Sequence, residues 1–198
     1  MINLIDLNQE IPFLIFKKKY IEATNAGQKN IEAVSISSYN AKKNEVESRL
    51  VNLKFIINSE FIFFSNYNST KASAFISHNQ IAALFYWPSI NVQIRMKANI
   101  KKTLNEFNQK YFFDRSEEKN ALAISSSQSK AIHSYSQVKE NYIRSLENDD
   151  LKTCPKYWGG YSFSPYEIEF WEGNEFRLNK RNLYVKVHSS WDHFVLEP

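Results

Sequence analysis

The segment Ile168 to Arg181, IEFWEGNEFRLNKR, sets two aromatics, Phe170 and Trp171, before a Gly173-Asn174 turn and two arginines, Arg177 and Arg181. A solvated loop rarely needs so much aromatic surface, and a core strand rarely carries two guanidiniums. Aromatic faces and guanidinium forks together suit a planar ring with an anionic group attached. Core packing would explain Phe170 and Trp171 if they stood alone. Upstream, Tyr111, Arg115 and Lys119 recur at four-residue spacing, so a helix would align them on one face. On a bare helix Arg115 and Lys119 repel each other, and an anion beside them relieves that repulsion.

The chain has only four glycines, and none belongs to a Gly-rich phosphate loop. A phosphate must therefore be held by Arg, Lys, Ser, Thr or Gln side chains. Arg49 and Lys54 share one predicted strand, where a solvated basic face is the ordinary explanation. They are five residues apart and point to opposite faces of a regular strand, so a shared site requires a bulge or strong twist. Thr70 and Lys71 open a predicted helix, whose N-terminus attracts anions and where Thr70 also fits as an N-cap. Gln93 lies in a strand of apolar and basic residues, and Gln128-Ser129 opens another helix, with Ser129 equally suited to an N-cap. His78, His133, His188 and His193 are scattered and Cys154 stands alone, so no metal site is expected.

The elements that must position these residues follow from periodicity. Pro12 to Ala23 has helical spacing of Phe13, Phe16, Tyr20 and Ala23. Ala33 to Tyr39 and Glu47 to Ile57 form a predicted hairpin, and Phe61 to Phe64 a short apolar strand. A helix from Ser69 or Thr70 to about His78 precedes strands Gln80 to Trp87 and Val92 to Ile100. Helices are predicted over Asn105 to Phe113, Glu117 to Ser125 and Ser129 to Leu146. After Cys154-Pro155, four strands follow: Tyr161 to Ser164, Ile168 to Trp171, Leu183 to Val187 and Trp191 to Leu196. Strands, then helices, then strands again predict an α+β, mainly antiparallel protein, and a barrel best hides so many edges.

The 198 residues predict a single domain, 1–198, and 43% hydrophobic residues with 15% aromatics exclude a disordered chain. One cysteine rules out an internal disulfide and favours a reducing compartment. The start MINLIDLNQE lacks the features of a signal peptide, and no apolar run approaches the roughly 20 residues of a membrane span. A cytoplasmic protein without a membrane partner is the expectation. The net charge of +4 favours anionic partners, either a phosphorylated small molecule or nucleic acid.

The C-terminal segment, with ESRLVNLK (47–54), FIFFSNYNSTK (61–71), Gln93, Tyr111-x-x-x-Arg115 and Gln128-Ser129, resembles the pyridoxine/pyridoxamine 5'-phosphate oxidases in order and spacing from about Ile31 to Pro198. The resemblance implies a split β-barrel with peripheral helices, whose residues 155–198 complete the barrel and the dimer site. It implies an FMN-dependent homodimer that oxidises pyridoxamine or pyridoxine 5'-phosphate to pyridoxal 5'-phosphate, reduces oxygen to hydrogen peroxide and takes no nucleic acid. By the same resemblance Arg49, Phe64, Ser65, Thr70, Lys71, Gln93, Gln128, Ser129, Trp171 and Arg181 bind FMN, with Trp171 and Arg181 reaching across the dimer. Lys54, Tyr111, Arg115, Lys119 and Arg177 hold the substrate, and Arg177 and Asn179 take the catalytic positions. The chain departs from the family pattern at Thr70, usually Arg, at Lys119, usually Ser, and at Asn179, usually His. The family's basic N-terminal arm also lacks a counterpart in the eight or so residues before the first helix. These departures leave a flavin-binding paralogue with another substrate, or weakened oxidase activity, as the alternative.

Overall fold

A computed structural model describes all 198 residues. In chain order the first half holds β1 (Asn3–Ile5), α1 (Ile11–Asn25), β2 (Ala33–Asn40), β3 (Glu45–Ile57), β4 (Glu60–Asn66), α2 (Thr70–Ser77), β5 (Gln80–Trp87) and β6 (Val92–Lys102). The second half holds α3 (Asn105–Asp114), α4 (Glu117–Ser125), α5 (Tyr135–Asn148), β7 (Trp158–Glu172), β8 (Lys180–Val187) and β9 (Ser190–Leu196). Strands β3, β2, β5, β6, β7 and β4 pair in that order, and β4 returns to β3. The result is a closed six-stranded antiparallel barrel, the split-barrel architecture expected from the sequence.

Period-two alternation fixes which way each strand faces. Along β5, Ile81, Ala83, Phe85 and Trp87 are buried in the barrel, while Gln80, Ala82, Leu84 and Tyr86 face outward. On β6, Val92, Ile94, Met96, Ala98 and Ile100 fill the interior in the same way. Helix α1 packs onto that core with Phe16, whose ring lies 5.3 Å from Phe61 and 5.4 Å from Phe85. Trp191 of β9 donates its indole N–H to Glu10 at 2.9 Å and meets Phe13 edge-on, joining the two ends of the chain.

Three sequence expectations change. The strands predicted at Tyr161 to Ser164 and Ile168 to Trp171 are one continuous β7, because β6 pairs along its whole length while β4 and β8 divide its other edge. Pro165 lies at the register slip opposite Lys97 and Ala98, where a missing backbone donor is tolerated. The helix predicted from Ser129 begins only at Tyr135, and Ser134 provides the cap by accepting from the Gln137 amide. Ser129 instead lies in a loop with φ of 72°, so it is no N-cap. Finally, β1 pairs parallel with the end of β3, a three-residue strand too short for periodicity to reveal.

Candidate functional site

A cavity of about 580 Å³ opens between β3, β4, the start of α2 and the α3–α4 corner. Its lining includes Arg49, Lys54, Phe64, Ser65, Thr70, Lys71, Tyr111, Arg115, Lys119, Gln128 and Ser129, so eleven predicted site residues meet in one place. Arg49 and Lys54 share it because the β3–β4 register slips between Leu53 and Phe55, leaving Lys54 as the extra residue of a bulge. This is the irregularity that their odd spacing required. Thr70 is the first residue of α2 and exposed, with Ser69 holding the cap position.

One end of the cavity is already hydrogen-bonded. The side-chain oxygen of Gln128 accepts from the Ser65 hydroxyl at 3.0 Å and from the Lys71 ammonium at 3.1 Å. Lys71 is 7% exposed and also donates to Ser69 at 3.2 Å. Burial, reinforced by the Arg49 charge, lowers its pKa to about 8. A buried ammonium pushed down in this way gains most from a bound anion. Arg49 itself contacts Glu47 and the Ser38 hydroxyl.

The other end is built on aromatic rings. Tyr111 stacks on Phe64 with centroids 3.9 Å apart, and Phe64 stacks on Trp158 at 5.2 Å. The Arg115 guanidinium lies over Trp158 at 4.5 Å, and burial lowers its pKa. Its Nη2 donates to the Lys119 carbonyl at 3.2 Å, whereas its buried Nη1 has no partner. A buried guanidinium donor left unpaired is costly unless a ligand takes it. The cavity lining carries five cations, Arg49, Lys54, Lys71, Arg115 and Lys119, and no carboxylate. Such a lining is chemically suited to an anion, with flat apolar surface beside it.

The remaining five predicted residues do not line this cavity. Gln93, Trp171 and Arg181 instead form, with Tyr86 beside Gln93, one cross-strand row on the outer face of β5 to β8. Arg177 and Asn179 lie in the loop just beyond that row, with Arg177 exposed at φ of 59° and Asn179 accepting from the Asn174 amide at 3.2 Å. Glu169 holds the row together: Arg181 reaches it at 2.7 Å and Arg95 at 3.3 Å, while Arg95 also donates to Gln93 at 3.0 Å. One chain thus presents two separate clusters, a cationic cavity and an outward row with its loop.

Sequence reasoning missed Trp158, which floors the cavity under Arg115, and Glu169, which orients Arg181. For Trp158 the available signal was its place beside Gly159-Gly160, where a side chain would collide with the Tyr67 hydroxyl and with Thr103. Glu169 sits two residues before Trp171 on the same strand face, so a carboxylate within reach of the arginines was legible.

Residues 158–198 match the family described as pyridoxine 5'-phosphate oxidase C-terminal dimerisation region. A pyridoxine/pyridoxamine 5'-phosphate oxidase of Legionella pneumophila (strain Lens) is 35% identical over 184 residues, covering 91% of this chain and 85% of that protein. The protein of the same name from Leptospira biflexa serovar Patoc (strain Patoc 1 / Ames) is 33% identical over 190 residues, 94% of this chain and 89% of its own length. Among solved structures, PhzG from Burkholderia lata 383, in complex with tetrahydrophenazine-1-carboxylic acid, superposes with a TM-score of 0.89 at 22% identity over 94% of this chain and 92% of that one. A pyridoxamine 5'-phosphate oxidase-related, FMN-binding protein of Nostoc punctiforme PCC 73102 gives 0.75 at 12% identity, over 92% and 97% of the two chains. At those identities the two structures share the fold.

Proposed function

We propose a reaction for a chain that belongs to the pyridoxine/pyridoxamine 5'-phosphate oxidase family: FMN-dependent oxidation of pyridoxamine or pyridoxine 5'-phosphate by oxygen. The observation that carries the reading is the acid-free cationic cavity, in which Arg115 keeps a buried, unpartnered donor over an aromatic floor. Its volume of about 580 Å³ falls within the roughly 300–1,000 Å³ of cofactor pockets. Pyridoxine 5'-phosphate would lose two electrons and two protons to become pyridoxal 5'-phosphate, and oxygen would become hydrogen peroxide.

FMN, when bound, supplies the two-electron acceptor for this chemistry. Arg49, Lys71, Ser129 and the Thr70 hydroxyl hold its phosphate, and Ser65 with Gln128 fixes the position of Lys71. Lys54, Tyr111, Arg115 and Lys119 bind the substrate phosphate at the opposite end. Phe64 and Trp158 exclude water between the two anions.

Gln93, Trp171, Arg177, Asn179 and Arg181 complete the site from a second copy of the chain in a homodimer. Two findings support that assembly: residues 158–198 match a dimerisation region, and Leu50, Leu84 and Tyr86 leave apolar surface outside the barrel at 72%, 40% and 53% exposure. Asn179 has no proton to exchange near neutral pH, so it orients substrate by hydrogen bonding and leaves hydride transfer to positioning. The chain works as one unit over 1–198, with 155–198 closing the barrel and supplying every member of this cluster except Gln93, which stands on β6. No helix is long and apolar enough to cross a membrane, and the free, buried Cys154 fits a reducing cytoplasm.

The deciding experiment is peroxide release. Protein reconstituted with FMN, yellow by its visible spectrum, is expected to release peroxide with pyridoxamine 5'-phosphate. FMN-loaded protein that releases none sinks the reading. The alternative, a flavin-binding paralogue with another substrate, is favoured by Lys119, a third cation beside Lys54 and Arg115. It predicts a more highly charged anionic substrate.

A further inference from the structure

The helix that carries Tyr111 and Arg115 is clamped at both ends by buried asparagines that touch neither anion-binding end. Asn108, 2% exposed, accepts from the Gly160 amide at 2.8 Å and from the Thr103 hydroxyl at 2.5 Å, and donates to the Tyr67 hydroxyl at 3.1 Å. Tyr67 in turn donates to the Gly160 carbonyl at 3.1 Å, which also accepts from the Thr103 amide at 3.0 Å. The strand can come so close only because residues 159 and 160 are glycines. A Cβ at Gly160 would lie 2.5 Å from the Thr103 hydroxyl, and one at Gly159 would strike Tyr67. At the far end Asn120, fully buried, donates to the carbonyls of Phe112 and Leu151 at 2.8 Å each.

Helical geometry links these clamps to the cavity. Asn108, Phe112 and Arg115 are spaced four and three residues apart, so they share one face of α3 and its end. That face meets Trp158: Phe112 packs edge-on against it at 5.1 Å, and Arg115 covers it at 4.5 Å. Trp158 stands two residues before Gly160, the residue that Asn108 grips. The network therefore sets the distance between α3 and β7, and with it the placement of Tyr111 against Phe64 and of Arg115 over Trp158.

We propose that Asn108 is a positioning residue for phosphate recognition, fixing Tyr111 and Arg115 through its contacts to Tyr67, Thr103 and Gly160 without touching the ligand. An apolar residue of similar shape leaves the Gly160 amide unpaired and frees the helix to shift, and a displacement of an ångström is enough to spoil a charged clamp. The Lys71–Gln128–Ser65 cluster lies outside this network and keeps its geometry. The inference rests on the substrate-phosphate role proposed above.

The test uses FMN-loaded full-length protein, wild type beside Asn108→Leu, Asn108→Ser and Thr103→Val. Pyridoxal 5'-phosphate and inorganic phosphate affinities are titrated, with FMN affinity and Tm measured alongside. Asn108→Leu is expected to weaken pyridoxal 5'-phosphate binding about tenfold and Thr103→Val about threefold, with FMN affinity unchanged within about twofold. The same ordering should appear with KM and not kcat. If Asn108→Leu does not fold, Asn108→Ser and Thr103→Val carry the ordered comparison. Equal losses for FMN and pyridoxal 5'-phosphate, or a lowered Tm with unaltered phosphate affinity, overturn the inference. Wild type that binds inorganic phosphate but not pyridoxal 5'-phosphate refutes the proposed substrate, and the role of Asn108 is then decided by the inorganic phosphate affinities alone.

Discussion

The cavity and the outward row are both made of arginines, amides and aromatics, yet the fold treats them differently. In the cavity five cations gather without a carboxylate, and the Arg115 Nη1 is left without a partner. In the row Arg181 and Arg95 share the Glu169 carboxylate, and Gln93 accepts from Arg95. The first arrangement leaves an excess of positive charge, relieved only at Arg49 by Glu47, which an anionic ligand would offset. The second is satisfied within one chain and ready to be presented to something else. Residues that look equivalent in sequence thus divide into a half with unpaired cationic donors and a half whose charged groups are paired within the chain.

The sharpest way to break this comparison is to remove the unpaired donor. Arg115→Met keeps an unbranched apolar stem over Trp158 and removes the charge. Loss of a charge-assisted bond to phosphate, worth about 1.5–3 kcal/mol, should lower kcat/KM for pyridoxamine 5'-phosphate by about 100-fold. FMN content should hold, because Arg115 makes no hydrogen bond to the Lys71–Gln128–Ser65 cluster. A drop of less than threefold would mean that the orphaned guanidinium is not the substrate clamp.

The second prediction concerns where the row works. Arg181→Ala should weaken FMN binding by roughly tenfold to thirtyfold, as expected for one charge-assisted contact. Mixing that variant with Lys71→Met separates the two clusters. If each site takes its cavity from one chain and its row from the other, half the randomly mixed dimers hold one intact site, and about a quarter of wild-type activity returns. No recovery would show that cavity and row act within a single chain.

The split also explains what the sequence could and could not reveal. Barrel strands were legible because β5 and β6 alternate strictly, but the four-residue spacing of Tyr111, Arg115 and Lys119 misled. Helix α3 ends at Asp114, Arg115 is its extended cap and Lys119 stands on α4, so the three meet in the cavity across a helix corner and not on one helix face. Parity demanded a bulge or strong twist only if Arg49 and Lys54 shared a site, as the resemblance implied, and the register slip sits at Lys54. The late start of α5 was not legible, since Ser129 and Ser134 are chemically identical caps and only the tertiary contacts of Gln128 choose between them. Nor was Asn108 visible, because buried asparagines on helices carry no periodic signature and depend on a partner strand about 50 residues away, here 52 in sequence.

The third prediction uses pH to separate the two clusters again. Lys71 titrates at about 8 in the folded chain because it is buried beside Arg49. Below that pH it meets the phosphate already charged; above it, binding must also take up a proton. FMN affinity should therefore fall as pH rises past 8, approaching about tenfold per unit. Stability of the FMN-free chain runs the opposite way. Between pH 8 and the ordinary lysine value of 10.5 the unfolded chain holds the extra proton, so stability rises with pH across that window. Lys71→Arg should flatten both profiles, whereas Arg181→Ala should weaken binding without changing its slope. A wild-type affinity that stays level from pH 7 to 9.5 rules out Lys71 as a phosphate ligand.

The smallest effect is expected at Thr70, where the resemblance set out above calls for arginine. Thr70→Arg would add a cation at the cofactor end, where Lys71 and Arg49 already stand. Three terms oppose the added attraction. Thr70 is exposed, where ion pairs yield about 0–1 kcal/mol. It begins α2, and a cation at a helix N-terminus is disfavoured by about 0.3–1 kcal/mol. It would also repel Lys71, whose ammonium is already disfavoured by burial and, next, by Arg49. The sum should be FMN bound at most about threefold more tightly at low salt, with any gain lost near 0.5 M as screening shortens to a few ångström. Titration of FMN fluorescence at two salt concentrations measures this directly. A gain above about 20-fold would exceed what an exposed pair supplies and would mean that the bound phosphate draws residue 70 into a buried contact.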